Sequence, residues 1–471
     1  MKRLRAPYLY NIAEMLRTHT LIIGGGLAGL AAAKALEGKK DYLLAERSPR
    51  PGGLAATVGK GGFLFDYSGH LLHLRWPHTT ALILETLKGN CSRIKRDARI
   101  YAHKSWTPYP FQVNLSGMPY KVKSECVSGF LAAYAARRSQ VTGHNPLEVP
   151  PQMASGQQAA RSQAGDKTEV FTRWTRRVFG EGISKHFMLP YNSKLWQYPL
   201  QRLTTEWCAP FVPVPRPEDV LEGAYGRRRD GLGYNTVFHY PKRGGIGALP
   251  LALARKAGGL RLGIEVESVN LKKGTALIKY FGQVRFRRLI NTSPLNEFID
   301  RAQDAPVSVK KAADKLRHNT VYVLNLGVRG VKNTMHWGYF PGERFPFYRA
   351  GIASNFSKGL APDGCASFYI EIATDGQALN LASAETEVIN GLKTCGLIKS
   401  SSQIVEKLWL KIPCAYVIYN RERTEALPVI FDWLKANKAR SIGRYGAWKY
   451  SFMEESIKEG LEAAEQLLGG R

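Results

Sequence analysis

One stretch near the N-terminus constrains the fold more than any other. It is the apolar run Thr20 to Ile23, then Gly24-Gly25-Gly26-Leu27-Ala28-Gly29, then the Ala-rich run Leu30 to Leu36. The first run fits a buried parallel strand, and the Ala-rich run fits the helix that follows it. Gly24, Gly26 and Gly29 hold the GxGxxG spacing between the two. The first glycine allows a tight turn and the second lets backbone approach a pyrophosphate. The third lets helix and strand pack closely, with the helix N-terminus facing the phosphates. Glu46 stands twenty residues beyond Gly26, at the end of a second apolar run, where a carboxylate can accept hydrogen bonds from an adenosine ribose. Arg47 follows it, but the acid argues against a 2′-phosphate. A second glycine pair, Gly52-Gly53, with Leu54 after it, completes a pattern that points to a dinucleotide-binding α/β unit holding FAD.

A chain of 471 residues, 44% hydrophobic and 22% charged, can bury a large core and is expected to divide into two or three domains. It has no apolar run of about 18 residues, the length a membrane-spanning helix needs. The first twenty residues are basic, carry Glu14 and Pro7, and lack the apolar stretch of a signal peptide, so the cytoplasm is the expected compartment. Cys91, Cys126, Cys208, Cys365, Cys395 and Cys414 are scattered without CxxC spacing, which suits a reducing compartment and argues against structural zinc. A formal net charge of +29 implies anionic partners: nucleotides, phosphates or an acidic membrane surface. The basic residues are spread along the chain without a recognition-helix or zinc-finger pattern, so no nucleic-acid role is expected.

Residues 138–168, rich in Gln, Ser, Gly and Pro, lack apolar periodicity and read as a flexible insertion. Between Glu169 and Trp207, large aromatics at helical spacing predict helices. Short strands follow over Val266 to Leu271, Leu289 to Asn291, Val321 to Val328, Phe368 to Ile372 and Ile404 to Leu410, and a last helix over Glu454 to Leu468. The expected organisation is a discontinuous Rossmann-like FAD-binding domain (1–100, 236–300 and 440–471), a mainly helical cap (101–235), and an antiparallel-sheet substrate domain (301–439).

Beyond the glycine loop, Phe65-Asp-Tyr-Ser-Gly69-His70 sets a glycine beside a histidine, which lets backbone approach an isoalloxazine ring and His70 bond near its N5. His73, His78 and His103 read as loop or core histidines, and no metal-ligand spacing is present. Trp106 to Asn114, Trp337-Gly-Tyr339-Phe-Pro and Pro346-Phe-Tyr-Arg349 each concentrate aromatics. The last adds a guanidinium suited to a phosphate or to a tyrosine face. GxSxG, Walker A and HExxH are absent, so the cofactor must carry the reaction.

From about Thr20 to Leu468 the chain resembles the UDP-galactopyranose mutase family, in its eukaryotic-type form, within the wider amine oxidase and protoporphyrinogen oxidase-like FAD superfamily. Four stretches carry the resemblance: Pro108 to Asn114, Phe179 to Trp196, Tyr339-Phe-Pro with Phe347 to Asn355, and Gly443 to Tyr450. It implies that His70 sits by the flavin with Gly69 in a mobile loop. Tyr109, Gln112, Asn192 and Trp196 would bind the nucleotide, and Asn235 would reach the substrate. Tyr339, Arg349, Tyr416 and Tyr450 would surround the diphosphate, with Arg349 its main cation. Val266 would meet the adenine through its backbone. Gly443, Arg444, Tyr450, Ser451 and Met453 would close over the flavin. The implied reaction interconverts the pyranose and furanose forms of a nucleotide sugar through a covalent adduct at N5 of reduced FAD, with no net redox change. NAD(P)H is a candidate reductant, and polysaccharide biosynthesis is the implied setting.

Three positions depart from that family. Its second diphosphate arginine aligns with Phe211, leaving Arg216 as a possible replacement. His73 stands where an aromatic is expected, and Tyr416-Val-Ile-Tyr419 replaces Tyr-Pro-x-Pro. These changes spare the flavin site and touch the substrate side. They keep two other readings open: an FAD-dependent oxidase of the amine oxidase or protoporphyrinogen oxidase type, and a flavin-bound, non-catalytic partner in a surface-polysaccharide assembly.

Overall fold

The computed structural model describes residues 16–142, 169–227 and 236–469, built on two seven-stranded sheets. In chain order their strands are β1 (Leu16–Ile23), β2 (Tyr42–Glu46), β3 (Ala98–Ala102), β4 (Ser105–Pro108), β5 (Leu260–Leu262), β6 (Val266–Asn270) and β7 (Thr275–Ile278). They continue with β8 (Gly282–Asn291), β9 (Thr320–Arg329), β10 (Trp337–Tyr339), β11 (Arg349–Ile352), β12 (Cys365–Thr374), β13 (Ile404–Ile412) and β14 (Ala439–Ser441).

The first sheet runs β6-β7-β8-β1-β2-β5, with β14 also on β8. Its centre is parallel, β1 lying between β2 and β8. All five residues of β2 are buried and Leu21 and Ile22 are 0% exposed, the near-continuous apolar burial of a parallel sheet covered on both faces. Helix α1 (Leu27–Leu36) follows β1 directly and buries its alanines against the sheet. The strand begins earlier than its apolar run predicts, at Leu16, and the helix at Leu27 rather than Leu30. The polar residues Arg17 to His19 continue a ladder already started by their neighbours, which apolarity alone does not report.

The second sheet runs β13-β9-β12-β11-β10-β3-β4 and is antiparallel except where β10 meets β3. Strands β3 and β4 therefore belong to this sheet, although they fall at the junction of the expected cofactor and cap segments. Helices α2 (Tyr120–Thr142) and α3 (Phe171–Ile183) pack on each other, and α4 (Leu189–Trp196) reaches strand β12 of the second sheet. Residues 138–142, expected as the start of a flexible insertion, extend α2 instead. Arg137 fastens that helix by donating to the Arg177 and Val178 carbonyls. Residues 143–168 and Asn235 lie outside the described residues. The C-terminal helix α5 (Met453–Leu468) packs on α1 and returns the chain to the first sheet. No helix among the described residues is long and apolar enough to cross a membrane.

Candidate functional site

A cavity of about 570 Å³ opens at the carboxyl ends of β1 and β2 and runs on to the inner face of the second sheet. At its first end, Gly24 takes φ +99, and a Cβ on Gly29 would lie 2.0 Å from the Gly24 carbonyl oxygen, so both positions require glycine. Gly26 caps α1 without a side-chain hydrogen bond, and nothing lies within 4 Å of where its Cβ would be. The helix N-terminus therefore offers its N–H groups to an anion. The Gly52 amide donates to the Gly25 carbonyl at 2.8 Å, which joins the two glycine pairs the sequence holds apart and brings Gly53 and Leu54 to the cavity. Glu46 is positioned by the Gly25 amide at 2.6 Å and the Ser48 amide at 2.7 Å. Each carboxylate oxygen takes one backbone donor and keeps acceptor capacity for a ribose. Arg47 lines the same end but is exposed and pairs with Glu297 at 3.2 Å. Val266 is there too, its carbonyl already accepting from Arg301.

At the middle of the cavity Gly69 packs against Tyr369, whose hydroxyl would lie 2.5 Å from a Cβ on Gly69. His70 lines the cavity beside it. Burial first, then the charge of Arg444, pushes its imidazole down to about 4, so it is neutral at physiological pH. Its Nδ1 is buried and has no partner among the described residues, an atom that a flavin ring edge would satisfy. Gly443, Arg444, Tyr450, Ser451 and Met453 close this part. Arg444 donates to the carbonyls of Ser451 at 2.8 Å and Ala415 at 3.0 Å, and lies 4.9 Å from the Tyr450 ring centroid and 5.4 Å from that of Tyr416. No carboxylate among the described residues pairs with it.

The far wall is aromatic. Arg349 on β11 and Glu371 on β12 are partners in the strand register, and that register makes a bidentate pair: Nε donates to Oε2 at 2.8 Å and Nη2 to Oε1 at 2.7 Å. Ser68 also donates to Glu371, linking this pair to the Gly69-His70 turn. Burial pushes the Glu371 carboxyl up, but Arg349 and the Ser68 and Tyr348 hydroxyls outweigh it and hold the group ionised. Arg349 is thus less free than the resemblance implies, since a buried carboxylate occupies Nε and Nη2. Its Nη1 makes no hydrogen bond to a described residue and stays available to an anion. Tyr339 and Tyr416 flank it, kept as neutral phenols by burial, and Tyr109 stacks near Tyr339 at 5.1 Å.

Gln112, Asn192 and Trp196 line the cavity as expected, yet much of their polarity is turned inward. Gln112 donates to the Pro213 carbonyl at 2.7 Å. Asn192 donates to Met188 and accepts from the Trp196 indole at 3.1 Å. Phe211 lines the cavity and meets the Tyr450 ring edge-on at 4.4 Å. Arg216 does not stand in for the absent arginine: it is largely exposed, pairs with Asp219 and lies outside the cavity. Besides Arg349, the guanidiniums lining the cavity are Arg47, Arg301, Arg444 and Arg96, which lies 4.8 Å from the Tyr109 ring centroid. His73 also reaches the cavity, with burial pushing it down to about 3. Sequence reasoning missed Glu371, Ser68, Tyr191 and Tyr348. A lone acid inside Phe368-Tyr-Ile-Glu371-Ile was the one available signal.

A Rossmann-type sheet with a glycine cradle, an acid placed for a ribose, and an aromatic-walled chamber beyond it defines a dinucleotide-dependent flavoprotein. Residues 27–468 match the family of flavin-containing amine oxidoreductases, and the chain belongs to that family. A solved structure of reduced UDP-galactopyranose mutase is similar at 26% identity, covering 96% of each chain with a TM-score of 0.85. A putative protoporphyrinogen oxidase from Exiguobacterium sp. 255-15 (14% identity, 97% of this chain and 100% of that one, TM-score 0.70) shares the fold. So does cyclohexylamine oxidase from Brevibacterium oxydans (16%, 96% and 98%, 0.63). Family and neighbours imply FAD. The open N-terminus of α1, the anchored Glu46 and the unpartnered His70 Nδ1 fit it.

Proposed function

We propose that this protein is a flavin-dependent nucleotide-sugar mutase that interconverts pyranose and furanose rings without net redox change, on UDP-galactose or another nucleotide sugar. The observation that carries the proposal is the far wall of the cavity. Arg349 and three tyrosines, Tyr339, Tyr416 and Tyr450, line one cavity with the Gly69-His70 turn, and Arg349 Nη2 donates to the Ser68 hydroxyl of that turn at 3.3 Å. The likeness to reduced UDP-galactopyranose mutase over 96% of both chains supports it. Reduced flavin, with NAD(P)H the proposed donor, supplies a nucleophilic N5 toward the anomeric carbon.

The protein has three tasks. Glu371 holds the Arg349 guanidinium rigid and leaves Nη1 to meet the phosphate charge that grows as the glycosidic bond breaks. Arg444, half-buried among tyrosines and without a carboxylate partner among the described residues, adds a second fixed positive charge where Phe211 supplies none. Neutral His70 keeps another cation away from the ring, and the aromatic lining excludes water that would trap the departing sugar.

The second reading, an oxidase of the amine oxidase type, is favoured by Phe211 in place of a phosphate-binding cation. The deciding experiment incubates the reduced protein with UDP-galactopyranose and a panel of UDP-, GDP- and dTDP-sugars and chromatographs the products. A furanose isomer is expected. Every sugar returned unchanged, with peroxide formed from an amine instead, would overturn the mutase reading.

A further inference from the structure

The first sheet carries a second feature far from the cavity. Strands β1, β7 and β8 alternate strictly where they pair: Val284 and Phe286 are buried, while Arg285 and Arg287 are exposed, as is Arg17 beside Thr18. The register sets Arg17 directly against Arg285, and Arg285 against Thr275. Side chains paired in register point to the same face, about 4.8 Å apart between strands. One outer face therefore bears Arg17, Arg285 and Arg287, with Leu277, 45% exposed, one step along β7. None of the three arginines has an ion pair among the described residues. Like charges opposed in register cost stability unless an anion lies over them. His19 nearby is held below its ordinary value first by burial and then by the charges of Lys40, Arg287 and Arg288, with Asp41 opposing. The acids at the margin are largely occupied. Asp41 accepts from the His19 amide and Asp304 from the amides of Leu271 and Lys272, leaving exposed Glu267 on β6.

We propose that this face of β1, β7 and β8 docks on an acidic phospholipid bilayer. Charge complementarity selects an anionic surface, and the rim of the face selects lipid among anionic surfaces. The β7–β8 turn projects Tyr280, 85% exposed, with the Lys279 ammonium 5.1 Å from its ring centroid, and Leu277 stands beside it. Exposed aliphatic and aromatic side chains at the edge of a basic surface enter the headgroup layer, while the arginines stay with the phosphates. The outer face itself presents Thr275, Leu277, Gln283 and arginines, with no aromatic platform on which bases of a nucleic acid could stack. It lies toward the start of β1, the opposite end from Gly24 and the cavity.

The test sediments the flavin-loaded protein with phosphatidylcholine vesicles, with and without phosphatidylserine, at low and physiological salt. The triple variant Arg17→Glu, Arg285→Glu, Arg287→Glu touches no cavity residue, and its flavin absorbance reports a folded protein. Binding only to the acidic vesicles is expected, weakened by salt. The triple variant should lose it by more than about a hundredfold, since removing each surface charge costs roughly fivefold and the glutamates add repulsion. Tyr280→Ser should lower binding without changing the salt slope, since it removes apolar contact and no charge. Equal binding to neutral vesicles, or retention by the triple variant, would overturn the proposal. So would displacement from acidic vesicles by a single-stranded oligonucleotide that binds more tightly through the same arginines.

Discussion

At the scale of single residues the site rests on one ion pair. Arg349 is held by Glu371, which is 0% exposed, and removing either partner leaves a buried charge at a cost of about 3–5 kcal/mol. The informative substitution is therefore Arg349→Lys, which keeps a cation but loses the planar fork. It is expected to raise KM for a nucleotide sugar by at least about tenfold while the protein still binds flavin, as steady-state kinetics and absorbance can check. Asp66 gives a pH test. Burial raises its carboxyl from 3.8 to about 6 despite hydrogen bonds from Thr57, Tyr240 and Ile246. Between about pH 4 and 6 the folded state then binds more protons at this group than the unfolded chain does. Stability from Asp66 falls as pH rises through that window, by up to about 3 kcal/mol in total. His70 and His73, depressed to about 4 and about 3, act with the opposite sign up to their unfolded value of 6.5. Denaturant melts of Asp66→Asn should rise more steeply than wild type from pH 4 to 6; an unchanged slope would contradict the assignment. Arg349 and His70 were legible in the sequence because their neighbours are aromatic or glycine. Glu371 was not, because its partner, 22 positions away in the chain, is set by strand register and not by local sequence.

At the scale of elements, α4 and the β10–β11 hairpin must meet for the aromatic wall to form, and one lysine joins them. The Lys194 ammonium donates to the carbonyls of Phe340 at 2.7 Å, Gly342 at 3.1 Å and Phe347 at 2.7 Å. Burial pushes it down to about 7, with Glu343 opposing. Those carbonyls belong to the loop that ends in Tyr348 and Arg349, while Asn192 and Trp196 lie on Lys194's own helix. Lys194→Met removes all three donors at nearly constant volume. It is expected to raise nucleotide-sugar KM about tenfold with flavin content intact and kcat little changed. Loss of flavin together with substrate binding would show instead that the lysine supports the whole fold. The glycine loop, α1 and strands β1, β2, β6, β8, β9, β12 and β13 were readable, because their periodicities are local, whereas strands β3, β4, β5, β7, β10, β11 and β14 were not. The helical continuation of α2 through residues 138–142 was not, since polar residues there follow a helix already nucleated upstream and anchored by Arg137.

At the scale of the molecule, two sheets divide the work: one cradles the dinucleotide at its strand ends, and the other presents the charged aromatic wall. The fold matches a mutase more closely than the oxidases quoted above, with TM-scores of 0.85 against 0.70 and 0.63. Sequence could not show that Arg216 stays outside the cavity or that Arg444 lines it, because both facts depend on how distant segments close. The central claim is turnover without net redox, and the most direct measurement counts it. The protein is reduced once under strict anaerobiosis, excess reductant is removed, and nucleotide-sugar product is measured per flavin while absorbance follows the oxidation state. Many products per flavin, with the flavin still reduced at the end, is the expected result. Product formed only in step with flavin reoxidation, or none until oxygen is admitted, would contradict it.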